Sequence, residues 1–123
     1  MDCIFCKIID GSIPSYTIYE DEIVKVFLDI NPLSNGHCLV IPKKHYLDLV
    51  EIDDEDLSHI MKVARNIKKL LEEKLNIDGL TLIQNNGEVQ EVKHYHLHLK
   101  PYYTVKQDIE DVSIIFDKIM KLK

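Results

Sequence analysis

The 123-residue sequence predicts an α+β fold: an antiparallel sheet with one long helix in mid-chain and a second helix at its C-terminal end. Three observations carry that expectation. β-rich runs lie next to one another, separated by turn residues. Apolar residues recur at helical spacing from Asp53 or Asp54 to about Leu75. A second helical stripe occupies 108–123.

In chain order, residues 1–14 hold a Cys3-x-x-Cys6 pair, a short apolar stretch (Ile4, Phe5, Ile8, Ile9) and a turn from Gly11 to Pro14. The runs 15–20 and 23–28 flank Asp21-Glu22, which is the pattern of a hairpin. Residues 29–36 form a loop by their Asn, Pro, Ser and Gly content, and 37–41 is a strand ended by Pro42. Leu57, Ile60, Met61, Ala64, Ile67 and Leu71 make the buried face of the long helix, which Asn76 and Gly79 terminate. Residues 80–84 are a strand, 85–87 (Asn-Asn-Gly) a turn, and 92–100 a strand ended by Pro101. In the last helix Val112, Ile115, Phe116, Ile119 and Leu122 form the apolar stripe. Asp108, Glu110 and Asp111 stand at its start and Lys118, Lys121 and Lys123 at its end, the order a helix dipole favours.

The length is that of one domain, 1–123, with no repeat, linker or low-complexity stretch. The formal net charge is −6, and no basic run exceeds two residues (Lys43-Lys44, Lys68-Lys69). That argues against binding long nucleic acid, which needs many phosphates neutralised. Arg65 is the only arginine, so a bidentate arginine clamp on phosphate is nearly unavailable. No apolar run approaches the ~18 residues of a membrane span, and the N-terminus lacks the pattern of a signal peptide. A cytoplasmic location is the expectation.

The informative stretch is KHYHLHLK, 93–100. Three of the six histidines, His94, His96 and His98, alternate there with Tyr95, Leu97 and Leu99. On a strand, alternate residues face one side at a spacing of roughly 7 Å. The histidines would form a row, and Tyr95, Leu97 and Leu99 would join the core. Three readings fit such a row: the polar face of an edge strand, a metal site, or phosphate chemistry. Neutral imidazole serves the last two equally, as ligand, nucleophile or acid–base. The Cys3/Cys6 pair has three readings of its own: a redox pair, half a zinc site, or neither. A redox motif of the thioredoxin type follows a strand and opens a helix, which is not expected at this position. Cys38 reads as a small buried hydrophobe and His59 as a solvated helix residue.

The row and its lead-in, Gln90-Glu91-Val92-Lys93, resemble the signature of the histidine triad (HIT) family. CIFCKII, IPS at 13–15, YEDE at 19–22, FLDINP at 27–32, GHCLVIPKKH at 36–45 and NNG at 85–87 resemble its bacterial nucleotide-binding branch. These landmarks run in order from residue 3 to 101 and leave the C-terminal helix uncovered. The resemblance implies a HIT-like antiparallel sheet and a homodimer. It also implies hydrolysis at the α-phosphorus of purine nucleoside phosphoramidates or other AMP derivatives, through a covalent nucleotidyl-histidine. His96 would be the nucleophile, His98 would polarise a phosphate oxygen, and His94 and His37 would complete the site. Asp29 would accept from the ribose, with Asn85 and Gln90 on the nucleotide. Phe5, Ile13, Phe27, Leu28 and Ile30 would surround the base. Cys3, Cys6, His45 and His94 would hold a structural zinc; no catalytic cofactor is implied. A dinucleoside polyphosphate hydrolase would use the same residues, and a nucleotide-binding regulatory module or a non-catalytic zinc protein are further alternatives. Two positions depart from the family pattern. Val89 stands where a glycine is usual, in a loop that is short by about two residues, and Lys100 stands where an apolar residue is usual.

Overall fold

The computed structural model describes residues 3–121. Leu122 and Lys123, the end of the expected apolar stripe and basic turn, lie outside the described residues. The elements are α1 (Ile4–Ile9), β1 (Thr17–Glu20), β2 (Val24–Leu28), β3 (Cys38–Pro42), α2 (Asp54–Leu75), β4 (Gly79–Ile83), β5 (Leu97–Tyr102) and α3 (Val112–Met120). The five strands form one sheet in the order β1-β2-β3-β5-β4, with every neighbouring pair antiparallel.

The period-2 rule divides the sheet into two faces. Val24, Val26, Leu28, Cys38, Val40, Leu97 and Leu99 pack with Ile60, Val63, Ala64, Ile67 and Leu71 of α2 and with Ile115 and Ile119 of α3. The opposite face carries Phe27, Leu39 and Ile41, which pack with Cys3, Phe5 and Ile8 of the N-terminal segment. The helices therefore seal one face, and only a short segment covers part of the other.

α2 begins where expected. The Asp53 side chain accepts from the Asp56 N–H, and three acids fill the first turn. It ends at Asn76, in the left-handed conformation with φ 54°. Gly36 also has a positive φ, +94°, and a Cβ there would lie 2.7 Å from Leu75 Cδ1, so the loop before β3 packs directly on the helix end.

Three elements differ from the sequence reading. Residues 4–9 form a helix, which Cys3 caps with its sulfur and whose Ile8 carbonyl accepts from the buried Lys25 ammonium at 3.1 Å. The cysteine pair thus does open a helix, although no strand precedes it. β5 begins at Leu97 instead of residue 92, because Tyr95 N–H bonds to the Tyr46 carbonyl at 2.8 Å and β3 has no further pairing past Val40↔Leu97. α3 begins at Val112 instead of 108. Asn35 takes the preceding segment, donating to Gln107 and to the Asp108 carbonyl and accepting from Glu110 N–H, so those backbone groups are satisfied outside a helix.

Candidate active site

Of the expected row, His98 lies on β5, while His94 and His96 lie in the irregular segment that leads into it. The alternation survives. Tyr95, Leu97 and Leu99 are in the helix-side core, and the His96 and His98 ring centroids are 5.0 Å apart. Phe5 meets both His94 and His96 edge-on, at 5.9 and 5.0 Å. β3 supplies the neighbouring wall: Leu39 pairs with His98, and His37 projects beside it from the residue before the strand.

Hydrogen bonds assign one tautomer to each ring. His96 Nδ1 lies 2.8 Å from the His94 carbonyl, so Nδ1 carries the proton and donates it, and Nε2 keeps a free lone pair. The Leu33 N–H donates to His37 Nδ1 at 3.1 Å, so that nitrogen is unprotonated. His37 Nε2–H then donates to His98 Nδ1 at 3.0 Å, which leaves the His98 proton on Nε2. Neither His96 Nε2 nor His98 Nε2 has a hydrogen-bond partner among the described residues. No buried side-chain nitrogen there goes unpartnered, so both open to solvent. They line a cleft of about 150 Å³ with Leu33, His37, Ile83, Asn85 and Glu91. A lone pair and an N–H thus face one small space.

Burial lowers all four of these imidazoles below their ordinary pKa: His94 and His98 to about 4, His37 and His96 in the same direction. The other histidines add to the effect at His94 and His98, and Asp29 opposes it at His37, His96 and His98. At neutral pH the rings are uncharged, as nucleophile, donor and ligand roles require.

The other end of the row meets the cysteines. His94 is fully buried. Its Nδ1 lies 3.4 Å from Cys3 Sγ and 3.6 Å from Cys6 Sγ, and His45 Nδ1 lies 3.3 Å from Cys6 Sγ. All four donor atoms fall within 4.8 Å of one another. A tetrahedral ion with Zn–S of about 2.3 Å and Zn–N of about 2.05 Å needs S···N separations of about 3.5 Å, so the cluster fits a closed four-coordinate metal. His94 Nε2–H donates to the Pro42 carbonyl at 2.8 Å, the outer bond that fixes a ligating imidazole. Without a cation, burial and the adjacent Cys3 push the Cys6 thiol up to about 11. A bound divalent ion would reverse that preference. Asp29, His37 and His98 also bring donors within 4.8 Å of one another. There, however, His37 Nδ1 accepts a backbone N–H instead of donating, so this set is a hydrogen-bond relay and not a ligand set.

The remaining expected residues are dispersed. Asp29 Oδ2 lies 3.7 Å from His37 Nε2, and Asn85 lines the cleft of His96 and His98. Gln90 is buried, but its amide donates to the Leu47 carbonyl at 2.7 Å and so braces two loops. Phe5, Phe27 and Ile13 share the small cluster on the face away from the long helix, whereas Ile30 is 72% exposed. Leu28 is a correction: it packs in the helix-side core, on the other side of β2 from Phe27. Cys38 is buried in that core, where burial raises its thiol to about 12. His59 is held by Asp21 at 2.7 Å instead of standing free in solvent. The sequence reading did not include Leu33, Pro42 or Glu91. The first two act through backbone groups that any residue could supply, and Glu91 sits inside the recognised lead-in without a role attached.

The HIT domain profile matches residues 10–105. The chain is 44% identical over 125 residues to an uncharacterized HIT-like protein of Methanocaldococcus jannaschii, covering 97% of this chain and 96% of that one. It is 40% identical over 130 residues to an adenosine 5′-monophosphoramidase of Saccharomyces cerevisiae, covering 98% and 77%. A zinc-bound histidine triad family protein from Mycobacterium smegmatis superposes with a TM-score of 0.85 at 33% identity, over 97% of this chain and 94% of that one. The alternating row, the sheet that carries it and these likenesses agree: the chain belongs to the histidine triad family.

Proposed function

We propose that this protein hydrolyses purine nucleoside phosphoramidates and related AMP derivatives at the α-phosphorus, with His96 as the nucleophile. The observation that carries the reading is the pair of committed tautomers. His96 presents a lone pair at Nε2, and His98 presents an N–H beside it. In the first step Nε2 attacks phosphorus, a P–Nε2 bond forms and the bond to the leaving nitrogen breaks, that nitrogen taking its proton from solvent. The phosphorylated imidazole is cationic, and its Nδ1–H already points at the His94 carbonyl. In the second step water attacks phosphorus, Nε2 recovers its lone pair, and AMP and a proton leave. His98 Nε2–H donates throughout to a non-bridging oxygen, oriented by His37 and, through it, by Leu33 N–H.

The relative from S. cerevisiae supports the substrate class, and the M. smegmatis structure supports zinc as the ion for Cys3, Cys6, His45 and His94. Such an ion would be structural, since four protein donors leave no open position. It would tie the N-terminal segment to His94 and to the loop carrying His45. For assembly we propose a homodimer through β4, an edge strand that exposes Leu82.

The test is AMP release from adenosine 5′-phosphoramidate by wild type and His96→Ala, with AMP binding followed by calorimetry. We expect a loss of at least about a thousandfold in kcat/KM with AMP binding retained. Equal activity in the two proteins removes His96 as nucleophile. Binding without turnover in both would make the protein a nucleotide-binding module instead.

A further inference from the structure

The catalytic row does not stop at His98. Lys100 follows it by two residues on β5 and so projects from the same face of the sheet, paired with Thr81 of β4. Its charge reaches the site. Burial chiefly holds His37 low, Asp29 opposes that, and Lys100 adds to it.

A second cleft, of about 210 Å³, adjoins the catalytic one, and Leu33 lines both. Its walls carry Lys100, Lys106, Tyr102 and Tyr103 and no carboxylate. Four other lysines, Lys25, Lys43, Lys68 and Lys118, have acidic partners. Lys100 and Lys106 have neither an ion pair nor a side-chain hydrogen bond among the described residues. Of the acids around it, Glu110 pairs with Lys118 at 3.0 Å and Asp78 accepts from the Thr104 N–H at 2.9 Å, while Asp108 and Glu91 lie outside its lining. On a chain of net charge −6, two unpaired cations in an acid-free groove concentrate positive potential beside the reacting phosphorus.

We propose that this groove receives the departing part of the substrate, and that Lys100 and Lys106 select leaving groups that end in an anion, a phosphate or a carboxylate. The inference rests on the phosphoramidase reading above and deepens it. A lysine ammonium suits this role as a mobile point charge that accepts either anion. Both lysines act on specificity; neither touches the reacting atoms.

Three adenosine 5′-phosphoramidates test it, with 2-aminoethyl phosphate, ethanolamine and ethylenediamine as the leaving amines. The expected order of kcat/KM is anionic, then neutral, then cationic, with each lysine contributing on the order of two- to fivefold. Lys100→Gln combined with Lys106→Gln should bring the anionic-to-neutral ratio to about one, while the corresponding double arginine variant keeps it. Added salt should shrink the wild-type ratio. A wild-type ratio near one, or a ratio that survives the double glutamine variant, overturns the groove assignment while hydrolysis itself stands. If no phosphoramidate is cleaved, including the unsubstituted one, the phosphoramidase reading fails and the groove assignment falls with it.

Discussion

His94 and His98 are four residues apart in one alternating row, yet their rings serve opposite ends of the site. His94 is fully buried, with Nδ1 against two sulfurs and Nε2–H on the Pro42 carbonyl, so both nitrogens are consumed by the protein. His98 is only part-buried; His37 occupies its Nδ1, and its Nε2–H is left for something outside. Both have pKa values near 4 and both are neutral. Residue type, spacing and charge state are therefore shared, and the number of nitrogens left unsatisfied separates a ring held wholly by the protein from one that can still donate outward. The middle ring, His96, also keeps one nitrogen free, but as a lone pair and not as an N–H.

The sharpest way to break this contrast is to remove the sulfurs. Cys3→Ala combined with Cys6→Ala should abolish zinc in the purified protein, read by atomic emission. It should also lower the melting midpoint by roughly 10 °C, the scale of about 3 kcal/mol in a domain of this size. An unchanged midpoint with zinc absent would mean that the cluster holds nothing important together. Next in size is the donor end. His37→Asn removes the bond that fixes the His98 tautomer and should lower kcat/KM by about 10- to 100-fold, the usual effect of losing an orienting partner. The loss should fall on kcat more than on KM, and a pure KM effect would move His37 from orientation to binding.

The pH profile sharpens the comparison further. Because burial depresses His96 and His98, their neutral forms persist as pH falls below the ordinary imidazole value of about 6.5. The acid limb of kcat/KM should therefore lie below 6.5. Stability has the same sign. The unfolded chain takes up protons that the folded rings refuse, so the folded state loses ground as pH drops from about 6.5 to about 4. An acid limb at 6.5 would contradict the burial argument. The smallest effect belongs to a histidine at neither end. His59→Ala breaks the 2.7 Å contact that ties the β1–β2 turn to α2. It should cost under about 1 kcal/mol with turnover unaltered.

Much of this was legible in the residues. α2 announces itself through its cap, its period and its left-handed asparagine end. The alternation of His94, His96 and His98 survives even though half of that stretch is not strand, because Tyr95, Leu97 and Leu99 still seek the core. Other features have no local signature. A six-residue helix rich in isoleucine and phenylalanine is held by the Cys3 sulfur and a distant Lys25 ammonium, not by propensity. α3 starts later than its acidic residues suggest because Asn35, 73 residues away from Asp108, captures the segment before it. The tautomers depend on Leu33 N–H and on the His94 and Pro42 carbonyls, which are backbone groups and leave no mark on residue identity. For Leu28 the signal is local: two adjacent strand residues cannot both face one base, and Phe27 takes that side.

His94 has a ring in one site and a carbonyl in the other. The two sites are then thermodynamically reciprocal. If ion binding orders that residue and so improves nucleotide affinity by some factor, nucleotide must improve ion affinity by the same factor. At equilibrium a chelator should then win less metal from the AMP-saturated protein than from the free one, so the metal's affinity becomes a record of whether the cleft at His96 is occupied.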